Sequence, residues 1–167
     1  NVAEEIYESL LMLQHRGQDA AGMVVCEPSG KLNSRKSKGY VRDVFQQNHM
    51  NNLQGNLGIG HVRYPTAGGI GKEFAQPMYV NTPYGISLAH NGNLTNSKKL
   101  AAELFHAERR HINTDSDSEV LLNIFALELS KQEAVFPKPK DFFTAVEKTH
   151  LRINGAYAVV ALITGYG

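Results

Sequence analysis

Cysteine, strong charge and long apolar stretches are all scarce in this sequence. Its one cysteine, Cys26, leaves no pair for an intrachain disulfide and no set of thiolates for a zinc site. The longest apolar run, residues 156–163, is far shorter than the roughly 20 residues that cross a bilayer. The net charge of +1 creates no field that would favour nucleic acid or a membrane surface. These absences predict a cytoplasmic protein with neither nucleic acid nor membrane among its partners.

The 167 residues, of which 42% are hydrophobic, are enough for one globular domain with a sizeable core. Apolar periodicity predicts helices over about residues 3–15, 96–110, 117–130 and 142–149. It predicts strands over about residues 20–25, 31–38, 56–62, 85–90 and 155–164, the last of them buried and central. The basic residues of the second strand alternate with small polar ones, which favours a solvated face over a phosphate site. We therefore predict one mixed α/β domain over residues 1–167.

Arg63 follows a predicted strand, within the sequence GHVRYPT of residues 60–66. The proline after Tyr64 biases the backbone of that tyrosine toward an extended form. The planar fork of a guanidinium suits bidentate capture of a carboxylate. Taken alone, however, a single arginine in this place is better explained by a structural salt bridge.

Asn91 and Gly92 follow the strand predicted over residues 85–90, and we expect them at or just beyond its end. The side-chain amide of an asparagine and the N–H of an adjacent glycine can both point at one oxygen, as in an oxyanion hole. Glycine also tolerates the positive φ that such an arrangement needs. By itself, an Asn-Gly pair is more typical of a simple turn.

Asp117 opens a predicted helix whose start has a clear signal. Ser116 and Glu119 fit the N-cap and N3 positions of a capping box. A carboxylate at this position could merely complement the helix dipole. It could also hold an ammonium group, so Arg63 and Asp117 together would match both charges of an α-amino acid.

The remaining candidates are weaker. His15 and Arg16 lie in a polar cluster that breaks out of the first amphipathic helix. The seven histidines show no convincing zinc spacing, so we expect no metal site. Cys26 ends a strand and fits a packed thiol better than a nucleophile. The glycine-rich residues 67–72 join two strands that carry motifs, which suggests either a lid or a plain connection.

Five blocks of sequence resemble the class II glutamine amidotransferase domain, an N-terminal-nucleophile hydrolase, and most closely that of the amidophosphoribosyltransferase family. The blocks are LQHRGQDAAG (13–22), GHVRYPTAG (60–68), LAHNGNLT (88–95), SDSE (116–119) and GAY (155–157). Their order and number make chance similarity improbable. Tyr64 after the motif arginine favours this family over the glucosamine-phosphate synthases, which carry tryptophan there.

The resemblance implies an α+β fold, a four-layer αββα sandwich, that hydrolyses glutamine to glutamate and ammonia for phosphoribosylamine formation in purine synthesis. An N-terminal cysteine attacks the amide, and its own α-amine acts as the base. Arg63 would bind the α-carboxylate of glutamine, Asp117 its α-amino group, and Asn91 with Gly92 the oxyanion. Arg16 would lie against the cysteine. The loop over residues 64–74, including Tyr64 and Thr66, would close over the substrate.

The family pattern begins with a cysteine-led strand, whereas this chain begins at Asn1. We therefore expect the sandwich to lack its first strand and the chain as given to be inactive. Two classes stay open at this point: an amidotransferase domain without its ends, and a glutamine-binding or assembly module without a nucleophile. The glutaminase domain of another class II amidotransferase is a further alternative.

The resemblance also implies the surroundings of the domain. Its own ligand would be glutamine, with no cofactor in this domain. The parent enzyme would add a phosphoribosyltransferase domain, use Mg²⁺ with phosphoribosyl pyrophosphate, and form a homo-oligomer.

Overall fold

The computed structural model describes residues 1–64, 71–132 and 136–167. The helices are α1 (Val2–Met12), α2 (Val41–Val44), α3 (Gln47–Met50), α4 (Ser97–His106), α5 (Asp117–Ser130) and α6 (Pro139–Arg152). The strands are β1 (Ala20–Cys26), β2 (Leu32–Lys38), β3 (Leu57–Arg63), β4 (Met78–Val80), β5 (Ile86–Leu94) and β6 (Gly155–Ile163). Single 3₁₀ turns occur at Gln14–Arg16 and Lys72–Phe74.

Within these residues the strands form two antiparallel sheets of three, ordered β2-β1-β3 and β4-β5-β6. In the first sheet, β1 pairs along its whole length with β3, from Ala20 opposite Arg63 to Cys26 opposite Leu57. In the second, β5 pairs along its whole length with β6, which places Asn91 opposite Ala158. Strand β4 covers only the first part of β5, with Met78 opposite Leu88.

The two sheets stack between two layers of helices. Alternate residues of β1 point in opposite directions, so Met23 packs under α1 and α2 while Val24 faces the other sheet. Leu162 of β6 meets Val24 in the space between the sheets. Ile86 of β5 packs outward against α5, the most buried helix. This order of layers confirms the predicted αββα sandwich.

Strand β6 differs from its prediction as a buried central strand. It is the last strand of its sheet in the described part of the chain, and most of its residues are exposed or half-buried. Val159 and Val160 are 45% and 47% exposed although they point to opposite faces. A continuous apolar run therefore marked a strand correctly but did not reveal whether both of its faces are covered.

The helix boundaries also show two instructive differences. Helix α1 ends at Met12, before the predicted position, because the chain tightens into the 3₁₀ turn ahead of Gly17. Ser116 is the N-cap of α5, as predicted, but its side chain accepts from the N–H of Ser118. Glu119 does not complete the capping box, because it accepts hydrogen bonds from Asn113 and Thr114 instead.

No helix among the described residues is long and apolar enough to span a membrane.

Candidate functional site

A cleft of about 430 Å³ gathers side chains from both sheets and from the start of α5. It is lined by six of the seven residues to which the resemblance assigned a role: Arg16, Arg63, Tyr64, Asn91, Gly92 and Asp117. The seventh, Thr66, lies outside the described residues, as does most of the predicted lid. Residues that are more than 50 positions apart in the chain thus share one small space.

Arg63 is the last residue of β3 and is buried. Its Nη1 forms an ion pair with Oδ2 of Asp19, and its guanidinium carbon lies 5.4 Å from the centroid of the Phe74 ring. The ion pair is the structural role that the arginine suggested on its own. Because Arg63 also lines the cleft, the structure combines this role with a position suited to binding a carboxylate.

Asn91 and Gly92 lie inside β5 rather than at or beyond its end, which corrects both the predicted placement and the simple-turn alternative. The strand continues to Leu94 because β6 pairs with it that far. Gly92 has φ +153°, and a Cβ there would collide with Ala156 O and lie 2.6 Å from Tyr157 Cα. Only glycine fits this close approach. The exposed Asn91 side chain beside it faces the cleft.

Asp117 joins the start of α5 to the end of β5. Its Oδ2 accepts a hydrogen bond from the backbone N–H of Leu94 at 2.9 Å. Its Oδ1 lies 3.8 Å from Nδ1 of His90. The carboxylate is therefore fixed by the same strand that carries Asn91 and Gly92, while it lines the cleft.

Three buried residues beneath the cleft were missed in the sequence: Gln76, His90 and Ser118. The Gln76 carboxamide accepts from the backbone N–H of His90 at 2.6 Å and donates to its carbonyl oxygen at 3.2 Å. It also donates to Ser118 Oγ at 3.2 Å, and that oxygen lies 2.9 Å from His90 Nδ1. His90 and Ser118 each adjoin a motif residue, which was the one available signal. Gln76, a single glutamine before Pro77, had no such signal in the sequence.

Two histidines of the cleft, His61 and His90, have lowered pKa values. Burial, and to a smaller extent the nearby His90 and Arg63, lowers the pKa of His61 to about 4. Burial also lowers the pKa of His90, although the Asp117 carboxylate opposes that shift. Both shifts favour the neutral imidazole at neutral pH.

Cys26 lies far from the cleft. It is six residues along β1 from Ala20, the partner of Arg63, which corresponds to roughly 20 Å at the rise of a strand. Burial and the neighbouring Glu27 carboxylate raise the pKa of its thiol. Both facts support the packed-thiol interpretation. No group of three or more His, Cys, Asp or Glu side chains in the described ranges is arranged to hold a metal ion.

A family model for the glutamine amidotransferase domain matches residues 41–135, more than half of the chain. The chain belongs to this family. An amidophosphoribosyltransferase from Pseudomonas aeruginosa is 59% identical over 167 residues, which are 100% of this chain and 33% of that protein. The chain thus spans about a third of the length of the curated relatives it matches.

Solved structures agree with this membership of the glutamine amidotransferase domain family. The structure of "the allosteric regulatory enzyme of purine biosynthesis" matches with a TM-score of 0.80 and 34% identity, covering 97% of this chain and 33% of that one. Glutamine phosphoribosylpyrophosphate amidotransferase from B. subtilis, complexed with ADP and GMP, matches with a TM-score of 0.77 and 32% identity, again covering 97% and 33%. The likeness confirms the N-terminal-nucleophile type of fold.

Proposed function

We propose that this domain binds glutamine and supports its hydrolysis to glutamate and ammonia, as the glutaminase part of an amidophosphoribosyltransferase. The observation that carries the proposal is the convergence of Arg63, Asp117 and the Asn91-Gly92 pair on one cleft. These groups have the chemistry to match the carboxylate, the ammonium and the reacting carbonyl of one glutamine molecule.

Arg63 and Asp117 supply the recognition of the amino-acid end. The Arg63 guanidinium has a planar set of donors that matches the α-carboxylate of glutamine. Asp117 offers a carboxylate for the α-ammonium, and its bond from Leu94 restricts its orientation. A glutamine held at both charges has its side chain directed along the cleft toward Asn91, which fixes the position of the amide to be cleaved.

Asn91 and Gly92 supply the stabilisation of charge. When a thiolate attacks the amide carbon, the carbonyl oxygen becomes an oxyanion and needs donors already in place. The tetrahedral intermediate collapses by breaking the C–N bond, and the nitrogen leaves as ammonia after taking a proton. Water then attacks the thioester, passes through a second oxyanion, and releases glutamate and the thiol.

The attacking thiol in this proposal is an N-terminal cysteine carried ahead of Asn1, with its own α-amine as the base. Cys26 is unsuitable because it is buried at the far end of β1 and its pKa is raised. Arg16, which lines the cleft, is assigned to the neighbourhood of the thiol. Tyr64 and Thr66 are assigned to the segment that closes over glutamine.

The wider assignment rests on the relatives named amidophosphoribosyltransferase. The ammonia released here would be used by a phosphoribosyltransferase part to form phosphoribosylamine for purine synthesis. Mg²⁺ would accompany phosphoribosyl pyrophosphate in that part and not in this one. We propose a homo-oligomeric parent enzyme in the cytoplasm, in which residues 1–167 form part of the glutamine amidotransferase domain.

The test compares two forms of the protein: the 167 residues alone, and the same residues behind a strand that is processed to begin with cysteine. We expect glutamine-dependent release of glutamate and ammonia from the second form only. The second form should keep its activity when Cys26→Ser is introduced. Turnover by the first form would assign the nucleophile to Cys26. Loss of activity when Cys26→Ser is introduced into the second form would do the same. An inactive second form that still binds glutamine would favour a binding module.

A further inference from the structure

Gln76 lies two residues before the start of β4, at the position that a longer β4 would occupy beside β5. The register of β4 with β5 pairs Met78 with Leu88, so two further residues along each strand would place Gln76 opposite His90. The described strand β4 starts only at Met78, and the residue between, Pro77, has no N–H to donate. The edge of β5 beyond Leu88 is therefore left without a backbone partner from β4.

The Gln76 side chain takes over the missing pairing. A carboxamide has the same C=O and N–H groups as a peptide, and here it bonds both the N–H and the C=O of His90. Those are the two bonds that a partner residue would make in an antiparallel ladder. Gln76 is 6% exposed, so its bonds are shielded from water.

The peptide that Gln76 holds is the one that leads into the oxyanion-binding pair. The His90 carbonyl belongs to the same planar peptide as the N–H of Asn91. Alternate residues of a strand direct their N–H groups to the same edge, so the N–H of Gly92 comes next after that of His90 on the edge that Gln76 occupies. Rotation of the His90–Asn91 peptide would therefore shift the backbone at Asn91, and with it the Asn91 side-chain amide and the Gly92 N–H that form the proposed hole.

The second contact of Gln76 connects this strand to the ammonium side of the cleft. Its amide nitrogen also donates to Ser118 Oγ, in the first turn of α5, next to Asp117. Asp117 in turn binds the Leu94 N–H. The segment from His90 to Leu94 is thus attached to the start of α5 at both of its ends.

We infer that Gln76 is a positioning residue for glutamine hydrolysis: its side-chain amide substitutes for a β4 residue and sets the orientation of the oxyanion donors relative to Asp117. Gln76 does not need to touch glutamine for this role. The inference rests on the proposed function, because it presupposes that Asn91 and Gly92 stabilise the oxyanion.

The experiment uses the cysteine-led form described above, three variants of the site and one control variant. Gln76→Met keeps the volume but removes every hydrogen bond, and Gln76→Glu keeps the bond from the His90 N–H but faces the His90 carbonyl with an acceptor. The matched control is Gln132→Glu, the same substitution at the other end of α5, where the amide donates to Glu128 O. Ser118→Ala removes one of the three Gln76 bonds, together with the contact between Ser118 Oγ and His90 Nδ1.

We expect kcat to fall about 10- to 100-fold in Gln76→Met and Gln76→Glu, which is the size of effect that a misplacement of about 1 Å produces. KM for glutamine should stay within about threefold, because Arg63 and Asp117 still bind its charges. Ser118→Ala should show a smaller fall in kcat with the same pattern. Gln132→Glu should keep both constants.

An aldehyde analogue of glutamine gives a readout that a purely structural role would not change. It forms a hemithioacetal with the thiol, and its oxygen then occupies the place of the oxyanion. Gln76→Met should weaken inhibition by the aldehyde by the same factor as kcat, while binding of glutamate stays unchanged. A general loss of stability would not separate these two ligands.

The outcomes separate the two proposals. If the unsubstituted cysteine-led form has no glutaminase activity, the proposed function fails and the role of Gln76 fails with it. If that form is active and Gln76→Met keeps its kcat, only the role of Gln76 is wrong. If both Gln76 variants fail to fold, an unchanged kcat in Ser118→Ala overturns the inference, and a reduced kcat at constant KM supports it.

Discussion

Asp19 and Arg63 form an ion pair in which both side chains are almost withdrawn from solvent, with 12% and 8% of their side-chain surface exposed. The backbone places them together, because the Asp19 N–H donates to the Arg63 carbonyl at 3.0 Å just before the β1–β3 ladder begins. The pair therefore holds the guanidinium at the end of β3, where the cleft starts. Substitution of either residue of the pair is therefore a test of the stability of the fold or of glutamine binding.

We expect Asp19→Ala to lower the free energy of unfolding by about 3–5 kcal/mol, because it leaves a buried cation without its carboxylate. Lys31→Ala, which breaks an exposed pair with Glu27, should cost less than about 1 kcal/mol. Urea denaturation followed by circular dichroism measures both. Equal losses in the two variants would show that the Asp19 pair is not a buried one in solution.

Arg63→Ala and Asp117→Ala should each weaken glutamine binding by about 1.5–3 kcal/mol, the usual value of a hydrogen bond to a charged group. Calorimetric titration with glutamine is suitable if the N-terminal cysteine of the longer form is replaced by serine to slow turnover. A matched control is Lys31→Ala, at an exposed side chain on the hairpin. Unchanged affinity in either site variant would remove that residue from the binding site.

Asn91→Ala in the cysteine-led form should reduce kcat by about 10²–10³, the range for one lost oxyanion donor. Because the Asn91 side chain is exposed in the cleft, the fold should not change. Steady-state kinetics with ammonia detection checks the prediction. A loss that appears in KM alone would mean that Asn91 binds the ground state and not the oxyanion.

Gly92→Ala should destabilise the domain by about 1–3 kcal/mol or more, because it adds a strained φ to the clash with Ala156. Gly165→Ala is the control, since Gly165 also has positive φ, +84°, but has nothing within 4 Å of the added carbon. Thermal unfolding of the two variants separates the steric cost from the conformational one. Equal melting temperatures would contradict the close approach of β6 at Gly92.

The His61 pKa predicts a loss of stability in mild acid. Its value is lowered from 6.5 to about 4 in the folded chain, so the unfolded chain binds the proton more readily. Stability is therefore complete above about pH 6.5 and is lost as pH falls toward 4, with about 2 kcal/mol lost by pH 5 from this group. The variant His61→Asn should show a flatter dependence of unfolding free energy on pH between 7 and 5. Parallel curves for the two proteins would exclude His61 as the cause.

The local sequence pattern was sufficient to predict those elements whose structure depends on residues close together in the chain. The 14-residue helix α5 and its N-cap Ser116 follow from one signal of capping and apolar spacing. The β1–β2 hairpin follows from a turn between two strand-like runs. The resemblance of five blocks to one family then supplied the sandwich and the candidate residues of the cleft.

Burial and hydrogen-bond partners between distant segments depended on the tertiary structure. The sequence did not show that β6 would extend β5 past Asn91 and Gly92, because strand length is decided by the partner strand. It also did not show that β6 itself would remain half-exposed, since that depends on which layers cover it.

The sequence of this protein determined its family, its secondary structure and the identity of the residues that could meet a glutamine. Only the tertiary structure decided how those residues are held: Arg63 by Asp19, and Asn91 through the Gln76 amide and Ser118. The physical reason is that a polar side chain inside the fold must find its hydrogen-bond partners there. Those partners are chosen by sheet register and packing, which join residues that no local pattern connects.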